Sequence, residues 1–571
     1  MPDLPRAAGA GRSAVTPAAQ SPLERLPRWL AAGVLIVAVL AAYLPATHAG
    51  FVWDDDVALT RNPLVQAPDG LYRAWCTTEA PDYWPVTLST FWVEWRLWGA
   101  NPAGYHLVNL ALHLAEALLF WRILARLRMP GAWLGALLFA VHPVNVESVA
   151  WVTQRKNLMA MLFYLASIWA FLRSGWPEAR ARSPGWYAAS LAAFVLAMLS
   201  KGSVAILPLV LLGIVAWRRR LAPRDALWAA PFLAVAAALT AVNIWFQAHH
   251  LAGAEVIRHA TALERLLGAG AVVWFYLSKA VLPLNLTFFY PLWRVDAHQV
   301  LWYLPLLAAL GVSAWLWRGP RPLRFAWLYF CAALLPVMGF TDVYFMKFSL
   351  VADHYEHLAL LGAAAVAGYG LSRWRARNPR ADAFAAALAA SFAFLTCRQC
   401  LAYASAETLA RETIRRNPAA WLAHDNLGVI LGQDERRLAE AEAEFREEIR
   451  LKPDWPEGHS NLGVILVREQ RVDEGIAQYQ EALRLQPRSF VAQLNLGSLL
   501  VFRQRYDEAA RHLAAALALK PGFAPARLLL GRALARLGRR AEAAAEFEAC
   551  LKLQPGDAAA AAALAQLRAQ P

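Results

Sequence analysis

An acidic triplet near the start of the chain is the first group of residues whose types could do chemistry. Asp54, Asp55 and Asp56 stand side by side in FVWDDD, directly after an apolar stretch. Adjacent carboxylates repel one another, which raises the pKa of at least one of them. Such a group could act as a general base, or could hold a divalent cation that binds a phosphate. The alternative is a charged turn in contact with solvent.

Polar residues on one predicted helix form a second candidate group. His106, Asn109 and His113 share one helical face, because they stand at positions i, i+3 and i+7, and Glu116 lies close to that face one turn deeper. A polar side chain in an apolar helix is costly unless it pairs with another group or faces a cavity. These residues are therefore candidates for a binding site. The alternative is a set of hydrogen bonds between helices.

Acidic, basic and aromatic side chains also follow several later apolar segments. The sequences HPVNVE, QRK, LSK, YP and ADHY each place such groups at the end of an apolar run. Lys and Arg side chains there could neutralise a phosphate, and carboxylates could activate an acceptor hydroxyl group. The residues that we predict to bind the substrate or its phosphate are His106, His113, His142, Glu147, Arg155, Lys156, Lys201, Tyr290, Asp353 and His354.

The composition indicates that these groups belong to a membrane protein. Of the 571 residues, 58% are hydrophobic and 17% are charged, whereas a soluble domain has about 25% charged residues. This excludes a disordered chain and an ordinary soluble enzyme. The net charge of +14 could indicate nucleic-acid binding. However, residues 401–571 hold 23 basic against 22 acidic residues. The excess lies in the apolar part, so we predict no nucleic-acid partner.

Eleven apolar segments predict a polytopic membrane domain over residues 29–400, after an N-terminal tail over residues 1–28. Several segments are shorter than the roughly 20 residues that cross a bilayer, so we expect their helices to extend into the flanks. The predicted spans are 29–45, 105–124, 131–150, 157–172, 187–200, 204–217, 227–246, 300–317, 325–340, 358–371 and 383–396. The first is interpreted as an uncleaved span, with a signal peptide as the alternative. Segment 266–284 is interpreted as re-entrant or as lying at the membrane surface.

The distribution of arginines orients this domain. If the eleven spans alternate, one set of connecting segments contains 21 Arg and only five acidic residues. By the positive-inside rule this set is cytoplasmic. The acidic loop at Asp54 and all residues after 400 then face the other side, which the preference for Arg over Lys indicates to be a bacterial periplasm. We therefore predict a multi-pass inner-membrane protein with a cytoplasmic N-terminus.

Residues 401–571 carry a repeat with a period of 34 or 35 residues. Leu-Gly pairs recur at 427, 462, 496 and 530, and prolines recur at 418, 453, 487, 521 and 555. This period, with small and large apolar residues between the prolines, is typical of the tetratricopeptide repeat, which has two antiparallel helices per unit. We predict about four full repeats, a leading half-repeat at Glu407–Asn417 and a cap helix at Asp557–Gln570.

A row of asparagines runs through these repeats. Asn426, Asn461 and Asn495 precede the Leu of three successive Leu-Gly pairs, and Leu529 ends the series. We predict that the row lines the concave surface and contacts the backbone of an acceptor polypeptide. It resembles the asparagine ladder in the soluble O-linked N-acetylglucosamine transferase. The alternative is that Asn is only a frequent residue at this position.

The ordered set of motifs resembles a known family. FVWDDDVALTRNP, HLVNLALHL, FAVHPVNVESVAWVTQRKNLMAMLF, LSKGSVAILPLVLL, YP and VADHYEHLALLG, followed by the repeats, look like the transmembrane-and-tetratricopeptide-repeat O-mannosyltransferases and their bacterial relatives. These proteins are similar to glycosyltransferases of the C superfamily. The resemblance implies an all-α fold, a polyprenyl-phosphate-sugar donor, inverting transfer, and a catalytic acidic pair that maps to Asp54 and Asp55. Where the family often has Arg after Asp, this chain has His354.

The sequence therefore predicts a membrane enzyme that transfers a mannose-like sugar from a polyprenyl-phosphate donor to Ser or Thr of secreted or membrane proteins. Asp54 or Asp55 would be the base, and the same two residues would be the ligands of any divalent metal. One alternative is a non-catalytic membrane scaffold whose repeats recruit envelope proteins. Another is a transporter of lipid-linked sugars, which would place its polar residues near the middle of the membrane.

Overall fold

The computed structural model describes residues 27–175, 183–250 and 257–569, and these residues form α-helices and short helical turns without any β-strand. The predicted all-α class is thereby confirmed. The chain divides between Leu409 and Ala410 into two compact units.

The first unit consists of helices that are mostly apolar, joined by short irregular segments. Their bounds are α1 Arg28–Tyr43, α2 Pro63–Gln66, α3 Gly70–Cys76, α4 Pro85–Trp98, α5 Pro102–Arg126, α6 Ala132–Ala140, α7 Val146–Ala150, α8 Arg155–Arg173, α9 Pro184–Ser200, α10 Leu207–Arg218, α11 Pro223–His250, α12 Ala262–Val281, α13 Tyr303–Trp317, α14 Arg321–Leu334, α15 Asp353–Glu356, α16 Leu360–Arg375 and α17 Arg380–Ala402.

Local sequence signals explain where several of these helices begin. Helix α5 starts at Pro102, and the Asn101 side chain accepts a hydrogen bond from the backbone N–H of Ala103 at 3.1 Å. Proline suits the first helical position because its missing N–H would have no partner there. Helix α12 starts with a capping box, in which Thr261 and Glu264 each accept a hydrogen bond from the backbone of the other.

Five helices in the described residues are long and apolar enough to cross a membrane, and one bent pair would make a sixth. They agree in position with predicted spans, and they indicate a membrane protein. The five are Arg28–His48, Pro102–Arg126, Pro223–Gln247, Val300–Trp317 and Arg380–Ala402, and the bent pair is Ala132–Ala140 with Pro143–Ala150.

The other predicted spans are helical, but they do not meet the same criteria of length and composition. Helix α9 and the segment Gly202–Arg218 are apolar, but each is shorter than 18 residues. Helix α8 is longer, but it begins with two basic residues, Arg155 and Lys156. The expected re-entrant segment 266–284 lies mostly in α12, which is one unbroken helix of 20 residues. The helix itself does not turn back, and a re-entrant path that returns through the residues after Val281 stays a prediction. The alternative of a helix at the membrane surface stays a prediction.

Helices α5 and α6 lie at the centre of the packing in the first unit. Helix α5 packs against α6 and α8, while α6 packs against α16. Helices α6 and α16 approach so closely that a Cβ atom at Gly131 would collide with the carbonyl oxygen of Gly368. Gly131 also has a φ of 74°, a conformation that glycine adopts without strain. The irregular segments around residues 51–56, 141–154 and 349–356 converge beside this core, and they carry most of the candidate site.

The second unit is a series of antiparallel helix pairs. Within each pair, the Gly of the Leu-Gly motif lies against a large side chain of the second helix, such as Phe445 at Gly428 and Tyr479 at Gly463. Small residues at these positions allow the two helices to approach. The helices are α18 Ala406–Arg416, α19 Trp421–Leu431, α20 Leu438–Leu451, α21 Pro456–Arg468, α22 Val472–Leu485, α23 Phe490–Phe502, α24 Tyr506–Leu519, α25 Ala524–Arg536, α26 Arg540–Leu553 and α27 Ala558–Ala569.

Candidate active site

The acidic loop after α1 is fixed by Asp55. Its carboxylate is fully buried and accepts hydrogen bonds from the backbone N–H of Val52 at 2.9 Å and of Thr153 at 2.7 Å. The Thr153 hydroxyl donates a third, at 2.5 Å. Burial raises the pKa of Asp55 to about 7, although these hydrogen bonds act in the opposite direction. Asp55 therefore ties the acidic loop to the segment that leads into α8.

Asp54 has a different environment from its neighbour. It is half-buried, and its Oδ1 accepts a hydrogen bond from the indole N–H of Trp151 at 3.0 Å. Burial raises the pKa of Asp54, and the positive charge of Lys156 opposes that rise. Asp56, the third acid, turns outward and forms an ion pair with Arg61. Of the triplet, Asp54 is the carboxylate that is both oriented and within reach of the surface.

Trp151 connects Asp54 to a second polar pair. Its ring meets the ring of His354 edge to face, with 5.6 Å between the centroids. The backbone N–H of His354 donates to Glu147 Oε2 at 2.9 Å, and His354 Nδ1 lies 3.0 Å from Glu147 Oε1. Burial lowers the pKa of His354 well below its usual value, and nearby Lys201 and Lys156 lower it further. The imidazole is therefore neutral near pH 7.

Lys201 joins the same cluster through an amide. Its ammonium group donates to Asn157 Oδ1, and Asn157 Nδ2 donates to the carbonyl oxygen of His354 at 3.2 Å. A cavity beside this chain of contacts is lined by Asn157, Lys201, His354 and Tyr355 among others. Burial lowers the pKa of Lys201 to about 7, and a phosphate in the cavity would favour the charged form of this side chain.

Tyr290 and Asp353 form the other edge of the cluster. The Tyr290 hydroxyl donates to Asp353 Oδ1 at 2.7 Å, and Asp353 is the residue before His354. Aromatic rings also pack against Trp53 in the acidic loop. The Trp53 ring lies 5.4 Å from that of Phe288 and 5.1 Å from that of Phe289, between centroids. Flat apolar faces of this kind suit the C–H face of a sugar ring.

Three predicted histidines lie outside this cluster. His106 is buried against the backbone of Ala49 and Gly50. His113 contacts Glu116 at 3.2 Å and the carbonyl oxygen of Ala140 at 2.9 Å. His142 contacts the carbonyl oxygen of Ala280 at 3.1 Å. Each ring is therefore held inside the helix packing, which corresponds to the alternative that the sequence left open for His106 and His113.

Arg155 is also engaged elsewhere. Its guanidinium group is fully buried, and it contacts Glu94 Oε1 at 2.5 Å and the carbonyl oxygen of Tyr105 at 2.9 Å. Its Nε donates to Asn109 Oδ1. These partners satisfy the side chain, so the structure does not offer it to a phosphate. Lys156, the next residue, is half-buried with its ammonium group 4.5 Å from the centroid of the Trp84 ring.

The acidic pair does not fit a divalent metal. Both oxygens of Asp55 and Oδ1 of Asp54 already accept hydrogen bonds from the protein. Water supplies some of the oxygen ligands of calcium and magnesium, but the metal still needs carboxylate oxygens, and few of those are free here. In the described ranges, no group of three or more His, Cys, Asp or Glu side chains is arranged to hold a metal ion. We derive no step through a metal.

The asparagine row of the repeats has a mixed set of partners. Asn426 Nδ2 donates to the carbonyl oxygen of Leu422 in its own helix at 2.8 Å. Asn461 Nδ2 donates to Asp425 Oδ1 of the preceding repeat at 2.9 Å. Asn495 hydrogen-bonds to Tyr479. All three side chains are half-buried, so each keeps part of its polar surface accessible.

Sequence reasoning missed Thr153, Asn157 and Glu94. Thr153 and Asn157 stand in the motif VTQRKN, close to residues that were selected for their charge. Glu94 is an acid within the apolar run FWVEWRLW, and a charge in such a run signals a buried partner. That signal was available for Glu94, whereas nothing in the sequence distinguishes the Thr153 hydroxyl.

Comparisons with known proteins bear on the repeats and on the family that the motifs resemble. Two sequence profiles of the tetratricopeptide repeat match the chain, one over residues 500–567 and the other over 403–456, 433–490 and 460–522. A protein O-mannosyl-transferase of Caenorhabditis elegans is 31% identical over 150 residues, which cover 24% of this chain and 22% of that protein. One of Drosophila melanogaster is 30% identical over 202 residues, which cover 30% of this chain and 21% of that protein.

Over part of its length, the chain is similar to proteins named protein O-mannosyl-transferase. The resemblance that the motifs indicated is thereby confirmed, as are the repeats. The aligned region spans less than a quarter of each of these two O-mannosyl-transferases. Among solved structures, a MamA protein is similar, with 22% identity and a TM-score of 0.25, over 27% of this chain and 83% of that one.

Proposed function

We propose that this chain transfers a mannose-like sugar from a polyprenyl-phosphate donor to Ser or Thr hydroxyl groups of proteins. The observation that carries the proposal is the Asp54 carboxylate, which Trp151 holds beside the polar cluster of Glu147, His354 and Lys201. The relation to proteins named O-mannosyl-transferases supports the same class of reaction.

Asp54 is the base in this proposal, and Asp55 is a positioning residue. Asp55 uses both oxygens to hold the loop, whereas Asp54 is oriented by one hydrogen bond and is half-buried. Its raised pKa makes the carboxylate a better proton acceptor than an ordinary one. Because Asp54 is only half-buried, an acceptor hydroxyl group can reach it.

The reaction is an inverting displacement at the anomeric carbon. Asp54 takes the proton of the acceptor hydroxyl group while its oxygen forms a bond to the anomeric carbon. The bond from that carbon to the phosphate oxygen of the lipid breaks on the opposite face, and the electron pair leaves with the phosphate. Lys201, with Lys156 nearby, stabilises the negative charge of the departing lipid phosphate.

The proposed topology places this site at the outer face of the inner membrane. The proposal keeps eleven spans in an arrangement like that of C-superfamily glycosyltransferases, a cytoplasmic N-terminus, and repeats in the periplasm. The arginine-rich segments support this orientation. The repeats would then lie on the same side as the Asp54 loop, where Asn426, Asn461 and Asn495 could contact secreted or membrane acceptor proteins.

Replacing Asp54 by Asn tests the proposal. The full chain is reconstituted in liposomes with a radiolabelled polyprenyl-phosphate mannose and a peptide rich in Ser and Thr. We expect transfer to fall by about 100-fold or more, because general-base catalysis contributes that factor. Asp56→Asn is the matched control, since Asp56 pairs with Arg61 at the surface, and it should retain activity.

Three outcomes would contradict the proposal. Transfer that persists in Asp54→Asn would remove Asp54 as the base. A wild-type protein that transfers no sugar from any polyprenyl-phosphate donor, yet still binds envelope proteins through its repeats, would favour the non-catalytic scaffold. Equal loss in Asp54→Asn and Asp56→Asn would indicate general damage to the loop rather than loss of a base.

A further inference from the structure

In the first full repeat, one pair of facing residues differs in type from the residues at the same positions of the other repeats. In each repeat, a residue near the end of the second helix lies opposite a residue near the start of the following helix. Elsewhere both partners are small and buried, whereas the first full repeat has Glu448 opposite Gly458. The other pairs are Thr413 with Ala423, Ala482 with Ala492, Ala516 with Ala526, and Cys550 with Ala560.

Gly458 provides the space that Glu448 occupies. A Cβ atom at position 458 would lie 2.9 Å from the carboxyl carbon and from both carboxyl oxygens of Glu448. A side chain at position 458 would therefore have to push the end of the Glu448 side chain aside. The array has therefore exchanged a small apolar contact for a carboxyl group at this one position.

The Glu448 carboxyl group is buried without a hydrogen-bond partner. Its residue is 0% exposed, and neither side-chain oxygen has a partner in the described part of the chain. Leaving a buried polar group unpaired costs free energy. Burial raises the pKa of Glu448 to about 9, and repulsion from Asp425 and Glu457 adds to the rise. The Glu448 carboxyl group is therefore neutral near pH 7, and a bound cation would favour its ionised form.

Two further carboxylates connect Glu448 to the surface. Asp425 is half-buried and accepts the hydrogen bond from Asn461, and Glu457 is exposed. Burial raises the pKa of Asp425 to about 6, and Glu457 contributes to that rise. Within the described residues, none of the three forms an ion pair with a basic side chain of this chain. We call Asp425, Glu448 and Glu457 the acidic pocket.

We propose that the acidic pocket binds the ammonium or guanidinium group of a Lys or Arg side chain in an extended peptide. Asn461, which belongs to the asparagine row, donates directly to a carboxylate of the pocket. A peptide whose backbone lies along that row therefore passes beside the pocket. The inference rests on the proposed function only for the presence of a peptide there, and it adds a charge preference to the acceptor.

A basic side chain fits the pocket better than a metal ion does. In the residues that the structure describes, these carboxylates do not belong to any group arranged to hold a metal. An ammonium group carries three donors that can reach separate acceptors, and a guanidinium group carries five. Their long apolar stems can also pass the half-buried rim while the charged end goes deeper.

Peptide binding to the full chain in detergent tests the proposal. The probes are fluorescent peptides of Ser, Thr and Ala that differ only at one central residue, which is Lys, Arg or Gln. We expect the Lys and Arg peptides to bind about tenfold more tightly than the Gln peptide. The difference should shrink as salt is added, because Glu457 lies at the surface.

A double variant removes the buried carboxyl group of the acidic pocket without disturbing the packing. Glu448→Ala with Gly458→Ala recreates the pair that Ala482 and Ala492 form in the next repeat. This variant should unfold at a temperature no lower than the wild type. It should lose most of the preference for the Lys and Arg peptides, although Asp425 and Glu457 remain. Glu508→Ala is the matched control, since Glu508 pairs with Arg505 outside the pocket, and it should keep the preference.

Several results would overturn the inference. These are equal affinity of the wild type for Lys and Gln peptides, an unchanged preference in the double variant, or loss of Lys-peptide binding on addition of millimolar Ca²⁺, which would indicate a metal site. The Asp54→Asn variant separates this inference from the proposed function. If it loses transfer but keeps the charge preference, the two act independently. If the wild type prefers basic peptides but transfers no sugar, only the proposed function fails.

Discussion

Replacing Arg155 by Met is expected to destabilise the membrane unit rather than to weaken binding of the lipid donor. The side chain is fully buried. It contacts Glu94 Oε1 at 2.5 Å, the carbonyl oxygen of Tyr105 at 2.9 Å, and Asn109 Oδ1. Methionine has a similar length and no charge, so the change removes these interactions while filling most of the space.

The magnitude follows from what the change leaves behind. The Glu94 side chain is only 7% exposed, so it would remain as an unpaired buried charge. Removing one partner of a buried ion pair costs about 3–5 kcal/mol, and each neutral acceptor that loses its donor costs about 1 kcal/mol more. Because such terms do not add fully, we expect a loss of about 4 kcal/mol in the free energy of unfolding.

Thermal unfolding of the full chain in detergent measures this loss, and a double-mutant cycle identifies its cause. Glu94→Gln removes the charge that Arg155→Met would strand. The double variant should therefore be more stable than Arg155→Met alone, by about 2 kcal/mol. In the fraction that stays folded, the KM for the lipid-linked donor should be unchanged.

A specific result would refute this reasoning. If Arg155→Met unfolds at the wild-type temperature and raises the KM for the donor tenfold, then Arg155 contacts the donor phosphate. Its contact with Glu94 would in that case give way when the donor binds. No gain in stability from adding Glu94→Gln would point the same way.

Two further changes test the packing and the acidic loop. Gly131→Ala should lower the unfolding temperature, because its Cβ would collide with the carbonyl oxygen of Gly368. Gly33→Ala is the control and should not lower it, since its Cβ would have no atom within 4 Å. Equal effects of the two changes would contradict the close contact between α6 and α16. Burial raises the pKa of Asp55 to about 7, so its stabilising contribution is complete below its ordinary pKa of about 4 and is lost as pH rises through 7. Unfolding temperatures from pH 4 to 8 should therefore fall less in Asp55→Asn than in the wild type, and parallel profiles would argue against the raised pKa.

The repeats were the part of the fold most open to prediction. Their signal is local, because each Leu-Gly pair reports a contact with a helix close to it in the chain, as between Gly463 and Tyr479. The same contact recurs at a fixed period, so each copy supports the others. The departure at Glu448 and Gly458 was not predicted, since its meaning depends on which side chains face each other across two helices.

The membrane unit was predictable in class but only partly in detail. Apolar length and composition identified helices such as Arg28–His48 and Pro102–Arg126. The candidate site was found in part, because polar residues in apolar surroundings are few and Asp54, Glu147 and His354 could all be selected from sequence. Their neighbours depend on long-range folding, however. Arg155 and Glu94 are 61 residues apart, and no spacing rule links them.

The bond between His354 and Glu147 also has a consequence for the order of events during synthesis. The two residues are 207 positions apart, whereas the tie between Asp55 and Thr153 spans only 98. A growing chain can therefore anchor the acidic loop long before the ribosome has produced the residue that completes the cluster. Since chains fold from the N-terminus as they are made, the polar cluster of the candidate active site is among the last features of the membrane unit to assemble.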